Sequence, residues 1–406
     1  MIDFPRDATQ LHSGAPWWLV ANGLMEYPAV ARTECDIAII GTGITGALVA
    51  DALTEAGADV MLIDRRAPGA GSTAVSTALL QYEIDVHLTD LIAMRGRDAA
   101  QRAYRLSSDA VEQLGAIVRS VDDDCGYAVR PSLYLASRRR DARRIEDECR
   151  EREAIGLDIA LWTKSQVEEQ YGFDSHGALR VSNAAVVDPL RLTRALLDRC
   201  LARGAGLLTR TTVEDIASRN GGVLLRTDRG DVHARQVVLA TGYEVPKALK
   251  RRGLIKLKST FAFVTEPLDD LGPLSDGCLL WESARPYTYL RTTSDRRILI
   301  GGEDAPFKHT GLRDRVLPGA VTKLEGHLAR LVPSLRPVRE FAWAGTFAET
   351  KDGLPIIGPV KGVKGAWCAL GYGGNGITFG VMAAQLLADL CLGKTNPDAE
   401  LFRPDR

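Results

Sequence analysis

The sequence has no cysteine pair at a redox or metal spacing. Its seven cysteines (35, 125, 149, 200, 278, 368 and 391) are scattered, with no C-x-x-C. An odd, dispersed set in a chain this long argues for buried thiols in a reducing compartment. The six histidines (12, 87, 176, 233, 309 and 327) show neither triad nor metal spacing. There is no serine-nucleophile elbow and no H-E-x-x-H, so metal and hydrolase chemistry have no support. No apolar run is long enough to span a bilayer. The opening stretch MIDFPRDATQLHSGAPWW carries acids and lacks the apolar core of a signal peptide, so a cytoplasmic protein is expected. A net charge of −1 offers nothing to draw nucleic acid or an anionic membrane. Internal repeats and low-complexity segments are also missing.

What is present is a 406-residue chain, 45% apolar and 25% charged, with the balance of a globular protein and too long for one ordinary core. Residues 1–34 read as an irregular arm anchored by Trp17 and Trp18. Residues 36–64 read strand, turn, helix, strand; 87–119 are helical, 126–136 a strand and 139–155 a charged helix. A helix near 189–203 leads to a strand near 206–213, then a hairpin and a buried strand in "DVHARQVVLATGYEVP". Residues 255–301 are β-rich, a helix follows near 312–331, and strands at 339–347 and 366–370 precede a helix at 375–391. The pattern interleaves two characters. Nucleotide-type units occupy 35–85, 185–245 and 350–395; sheet-rich segments occupy 86–184 and 246–349; 396–406 is a tail. A discontinuous two-domain chain is expected.

The stretch "IAIIGTGITGALVADALTEAGADVMLID" (37–64) holds the chemistry. Gly41, Gly43 and Gly46 form G-x-G-x-x-G between a strand and a helix. The first permits the tight turn, the second lets a pyrophosphate reach the backbone, and the third lets helix pack on strand. Ile44 and Thr45 open the helix, whose N-terminus favours phosphate. Asp64, followed by Arg65, ends the second strand where an acid accepts from ribose hydroxyls. That acid disfavours NADP and leaves FAD and NAD open.

The downstream strand ending in Ala240-Thr241-Gly242 resembles, with the first unit, FAD-dependent oxidoreductases of the glutathione-reductase-like class. That class sets the backbone of Val213 against the adenine. "GAGSTAVSTALLQYEID" (69–85), "KDGLPIIGPV" and "WCALGYGGNGITFG" narrow the resemblance to the D-amino-acid oxidase family, with its glycine, sarcosine and related amine oxidoreductases. The similarity runs in order from about residue 35 to 395. It implies an α/β, Rossmann-type FAD-binding domain with a second α+β substrate domain built on a large mixed sheet. It also implies hydride transfer from an amine-bearing carbon to flavin N5, with the imine then hydrolysed. On this resemblance Ser72 and Thr73 meet the pyrophosphate, and Thr77, Ala78, Leu79 and Gln81 pass beside the ring. The glycine turn at Gly371, Gly373 and Gly374, with Asn375, Gly376, Ile377 and Thr378, points helix N–H groups at the flavin N1–C2=O region.

Departures from the family pattern matter as much. The sarcosine-oxidase cysteine that holds flavin covalently aligns with Gly345, and the histidine used by dimethylglycine-dehydrogenase-like members aligns with Val75, so non-covalent FAD is expected. The carboxylate-gripping cations of family members align with Phe347, Gln81 and Thr378, so a simple amino acid held in the familiar way is not expected. In "RPYTYLRTT", period two places Tyr287, Tyr289 and Arg291 on one face, either a substrate site with Gln81 or an ordinary packed sheet face. Glu83 and Glu349 either favour a cationic amine or are structural. His309 is a loop candidate, and Lys256 or Lys258 could serve oxygen. The substrate is expected to be a small amine or amino acid, with oxygen or another acceptor. Oxidation of a C–OH substrate, or a structural flavoprotein, are the competing readings. Oligomeric state is open.

Overall fold

The computed structural model describes residues 2–3, 10–30, 32–219, 221–244 and 255–406. The expected boundary at 245/246 lies outside the described residues. Among the described residues the strands form two sheets, one of nine strands and one of ten.

The nine-stranded sheet is organised by strand Glu34–Ile40, which pairs in parallel with Val60–Ile63 on one side and Val232–Gly242 on the other. Its buried half is apolar without interruption, as a strand covered on both faces requires. Alternate residues serve different cores: Ile37 and Ile39 enter the main core, Ala38 and Ile40 a second cluster on the opposite face. Helix Ile44–Glu55 crosses between the first two strands and is buried nearly all round, packed against helices Pro189–Ala202 and Gly376–Cys391. Asp51 on that helix receives both arms of Arg199 at 2.7 and 2.6 Å, tying it to the neighbouring helix. The register places Ile40 opposite both Ile63 and Leu239. Gly41, Asp64 and Ala240–Gly242 therefore leave the sheet at one edge, the carboxyl ends of the parallel strands, where ligands bind in open α/β sheets.

The ten-stranded sheet is mixed, running through His12–Gly14, Arg339–Thr350, Ile255–Thr265, Ile298–Pro306, Thr288–Thr292, Leu279–Glu282, Ala128–Leu135, Ala178–Val186 and Leu79–Leu80, with Ala160–Trp162 also paired to Ala178–Val186. One face turns Phe261, Phe263, Ile298 and Ile300 to helix Thr310–Leu331, with Leu324 and Leu328 in the same cluster. The other turns Ala262, Val264, Leu299 and Trp343 to the main core. This is the large mixed sheet expected of the second lobe.

Two local expectations need correction. The described part of the arm holds regular elements: Ile2–Asp3 extends one sheet beside Asp215 and Ile216, His12–Gly14 extends the other beside Trp343–Gly345, and Trp17–Asn22 is a helix. The strand expected to run to 213 stops at Leu208, because Arg210 is left-handed (φ 51°) and its N–H turns to Arg66 O. Val213 instead opens the next strand. Among the described residues, no helix is long and apolar enough to cross a membrane.

Candidate active site

One cavity runs from the carboxyl edge of the nine-stranded sheet to the face of the ten-stranded sheet. At the first end the chain turns at Gly41 (φ 113°), where an added Cβ would stand 2.3 Å from Ala240 O. Gly46 packs so closely that its Cβ would lie 1.9 Å from Gly41 O, so it joins helix to turn and does not line the cavity. Gly43 caps the helix without a side chain, and its Cβ would meet Thr73 Oγ1 at 2.9 Å. Asp64 lines the cavity. Its carboxylate accepts from Thr42 N at 2.7 Å, Thr42 Oγ1 at 2.9 Å and Arg66 N at 2.9 Å, which fixes its direction and leaves lone pairs for hydroxyl donors. Arg65 and Arg66 both pair with Glu244 beside it. Val213, Thr241 and Gly242 line the same end, and the buried hydroxyl of Ser72 has no hydrogen-bond partner there.

The middle of the cavity is a loop held under tension. Ala78 takes a left-handed conformation (φ 53°), a costly one for a residue with a Cβ. Three buried donors fix the loop around it. Trp18 Nε1 reaches Ser76 O at 2.6 Å, Trp343 Nε1 reaches Val75 O at 3.1 Å, and Arg291 Nη1 reaches Ala78 O at 2.9 Å and Val187 O at 3.0 Å. Thr77, Ala78, Leu79 and Gln81 line the cavity along this path. Gln81 Nε2 donates to Ser132 Oγ at 2.6 Å, which sets the amide's orientation.

The far end joins the sheet to the glycine turn. Gly373 (φ 56°), Gly374, Asn375, Gly376 and Ile377 line it. Thr378 does not; its hydroxyl donates to Gln81 O at 3.3 Å beneath the turn. Asp85 Oδ2 takes the Gly374 N–H at 3.0 Å, so one amide of the turn is already engaged. Tyr287 and Tyr289 line the cavity with ring centroids 5.7 Å apart. Tyr289 lies across Gly301, where an added Cβ would come within 2.6 Å of its ring. Arg291, expected beside them, is corrected. It is 3% exposed, does not line the cavity, and spends its guanidinium on carbonyl oxygens of the loop.

The other candidates divide. Glu83 lines the cavity, is 2% exposed, and has no hydrogen-bond partner on either carboxyl oxygen; burial raises its pKa, with Arg152 opposing. Glu349 is ion-paired with Lys258 at 3.2 Å and neither lines the cavity. His309 is a helix cap accepting from Leu312 N, away from the cavity.

Asp304 was not legible as a site residue. Phe261 pairs with Gly302 and Ser259 with Ala305, so Thr260 faces two residues, Glu303 and Asp304. Glu303 is left-handed (φ 56°). This bulge inverts the strand's alternation and turns Asp304 to the cavity face, shared by Leu299. Period two alone points Glu303 there. Asp304 Oδ1 is buried without a partner, and burial pushes the carboxyl up to about 7; Thr260 and Lys258 lower it while Asp85 and Glu349 raise it.

These residues fit FAD. A bare-backbone turn, a fixed acid and an orphaned serine hydroxyl suit the adenosine diphosphate half, and the glycine-edged far end suits the ring. Gly345 and Val75 are neighbours on the lining, the glycine's added Cβ falling 3.2 Å from Val75 Cγ2. Neither carries a nucleophile, and no cysteine or histidine is among the described lining residues.

Comparison with known proteins gives one consistent result. The family model described as "DAO: FAD dependent oxidoreductase" matches residues 36–390. The chain is 24% identical over 399 residues to the "Putative Rieske 2Fe-2S iron-sulfur protein YhfW" of Bacillus subtilis (strain 168), spanning 96% of this chain and 75% of the relative. It is 26% identical over 382 residues to gamma-glutamylputrescine oxidoreductase of Escherichia coli (strain K12), spanning 91% and 85%. It is 26% identical over 365 residues to glycine oxidase of Geobacillus kaustophilus (strain HTA426), spanning 87% and 92%. The crystal structure of glycine oxidase from Geobacillus kaustophilus matches with a TM-score of 0.76 at 22% identity, covering 90% of this chain and 96% of that one, a likeness of fold.

Proposed function

The chain belongs to the DAO family of FAD-dependent oxidoreductases, and from that premise we propose that it oxidises the C–N bond of an amine, giving an imine that hydrolyses in water. FAD is the cofactor, and we take it to be held without a covalent bond. When bound, it supplies the two-electron acceptor, taking the substrate hydride at N5. The observation that carries the reading is the placement of Gln81, Tyr287 and Tyr289 on the same cavity as Asp64, Ser72 and the Gly373–Gly376 turn.

The protein's contribution is positional and electrostatic. Asp64 holds the ribose, and Ser72, Thr73 and the helix end at Gly43, whose Ile44 N–H donates to Thr73 Oγ1 at 3.0 Å, hold the pyrophosphate. The pinned loop from Val75 to Leu79 sets one wall, and the turn at Gly373 and Gly374 sets another. Gln81, Tyr287 and Tyr289 orient the substrate carbon, and the aromatic surfaces exclude water. No strong base for a carbon proton is needed, because the carbon loses hydride and the nitrogen lone pair stabilises the cation left behind. Two of the relatives support the reading by name, a gamma-glutamylputrescine oxidoreductase and a glycine oxidase.

The test is anaerobic mixing of the purified yellow protein with amines, amino acids and hydroxy acids. Amines or amino acids should bleach the flavin absorbance. Bleaching by hydroxy acids alone would reject C–N oxidation in favour of C–OH oxidation.

A further inference from the structure

The far end of the cavity carries a charge pattern that narrows the substrate. This step rests on the reading above and deepens it. We propose that the site takes a cationic amine bearing no carboxylate beside its reacting carbon, with Asp304 pairing to the ammonium.

The acids at this end are Asp304, Asp85 and Glu83, all on the lining. A Cβ built on Gly374 would stand 3.3 Å from Asp85 Oδ1 and 3.5 Å from Tyr287 Oη, so carboxylate and phenol meet at the glycine turn. The basic side chains among the described lining residues are Arg65 and Arg66, at the opposite end beside Asp64 and Glu244. Arg291 is turned to backbone carbonyls and Lys258 to Glu349. The side-chain donors on the lining here are neutral: the Gln81 amide, the phenols of Tyr287 and Tyr289, the latter sharing a hydrogen bond with Thr260 Oγ1 at 3.2 Å, and the partnerless indole N–H of Trp281. The cations acting on this end stand behind the lining, Arg285 over the Tyr287 ring at 4.9 Å, Arg152 on Glu83 and Lys258 on Asp304, so a carboxylate entering here would meet the three acids on the wall.

An ammonium meets the reverse. Asp304 Oδ1 is buried without a partner, and both oxygens of Glu83 lack hydrogen bonds although the buried Arg152 acts on that carboxyl. Burying an unpaired carboxyl is unfavourable, and an entering cation relieves that cost. Tyr287 already carries Arg285 over its ring at 4.9 Å, and Tyr289, tilted against it, with Trp281 adds aromatic surface that attracts a desolvated cation. The bulge at Glu303 is what delivers Asp304 to this place. The groups acting on Asp304 come from each neighbouring element: Lys258 and Thr260 from one strand, Glu349 from another, Asp85 from the cavity loop, Tyr289 from the adjoining strand and Tyr287 from the position just before it. Once seated, the ammonium passes one N–H proton to Asp304 Oδ1 and keeps the electron pair on nitrogen. That pair is what the departure of hydride requires.

The test is binding, separate from turnover. Tetramethylammonium and acetate are titrated into the FAD-loaded protein at pH 8, with the flavin visible spectrum as readout. Tetramethylammonium should perturb the spectrum saturably and acetate at least tenfold more weakly. Asp304→Asn, checked for retained FAD, should weaken tetramethylammonium at least tenfold. Tighter acetate than tetramethylammonium in the unaltered protein overturns the proposal, and so does an Asp304→Asn protein with unchanged cation affinity. If cations bind in the expected way but no amine bleaches the flavin, the oxidation reading fails and this one stands. If amino acids bleach it faster than matched amines, this one fails and C–N oxidation stands.

Discussion

Single residues set the chemistry of this protein, and two of them make sharp predictions. Gly41 combines a φ of 113° with an added Cβ only 2.3 Å from a backbone oxygen. Gly41→Ala must therefore move the turn proposed to face the pyrophosphate. The expected outcome is colourless protein after purification, checked by absorbance and by FAD in an acid extract. Asp304 predicts a pH dependence. Its carboxyl is raised to about 7, chiefly by burial, from an ordinary value near 3.8. The folded chain thus holds this proton more tightly than the unfolded chain. Its stabilising effect is complete below the ordinary value and is lost as pH rises through about 7. Asp304→Asn keeps the neutral form at every pH, so it should raise the melting temperature at pH 8 and leave it unchanged at pH 4. In catalysis the wild-type kcat/KM should rise with pH through about 7 as the carboxylate forms, and Asp304→Asn should lose that limb.

Elements decide which residues meet. The loop from Val75 to Leu79 is shaped by donors far away in sequence, Trp18, Arg291 and Trp343. Arg291→Met leaves the carbonyls of Ala78 and Val187 without their buried donor, at about 1–3 kcal/mol for each orphaned group. The expected result is a rise in the FAD dissociation constant, measured by fluorescence titration of stripped protein. The same elements explain what the sequence could and could not tell. The strand, turn and helix at 34–55 were legible because continuous apolar strands, glycine punctuation and a terminal acid are local signals. Tyr287 and Tyr289 were legible because strand alternation holds there. Arg291 obeys the same alternation yet points its charge at backbone, since a loop closes over it that no periodicity announces. Asp304 was invisible because one extra residue at the bulge changes which neighbour faces the cavity. The short strands Ile2–Asp3 and His12–Gly14 were hidden because each is two or three residues long and exists only through pairing.

At the scale of the whole molecule, one cavity is walled by both sheets, so its occupant belongs to the fold. Cofactor that binds only the folded chain should stabilise it by mass action, about 2.7 kcal/mol at a hundredfold excess over the dissociation constant. Stripped protein should therefore melt at a lower temperature and recover on adding FAD. The same cavity carries Asp64 at one end and Asp304 at the other, the two acids proposed above to meet the ribose and the ammonium. The most direct test is a single anaerobic turnover with a secondary amine that bleaches the flavin, followed by mass spectrometry of the products. The account predicts one equivalent of primary amine and one of carbonyl compound released for each FAD reduced. Reduction of the flavin with the C–N bond of the recovered substrate intact would contradict it.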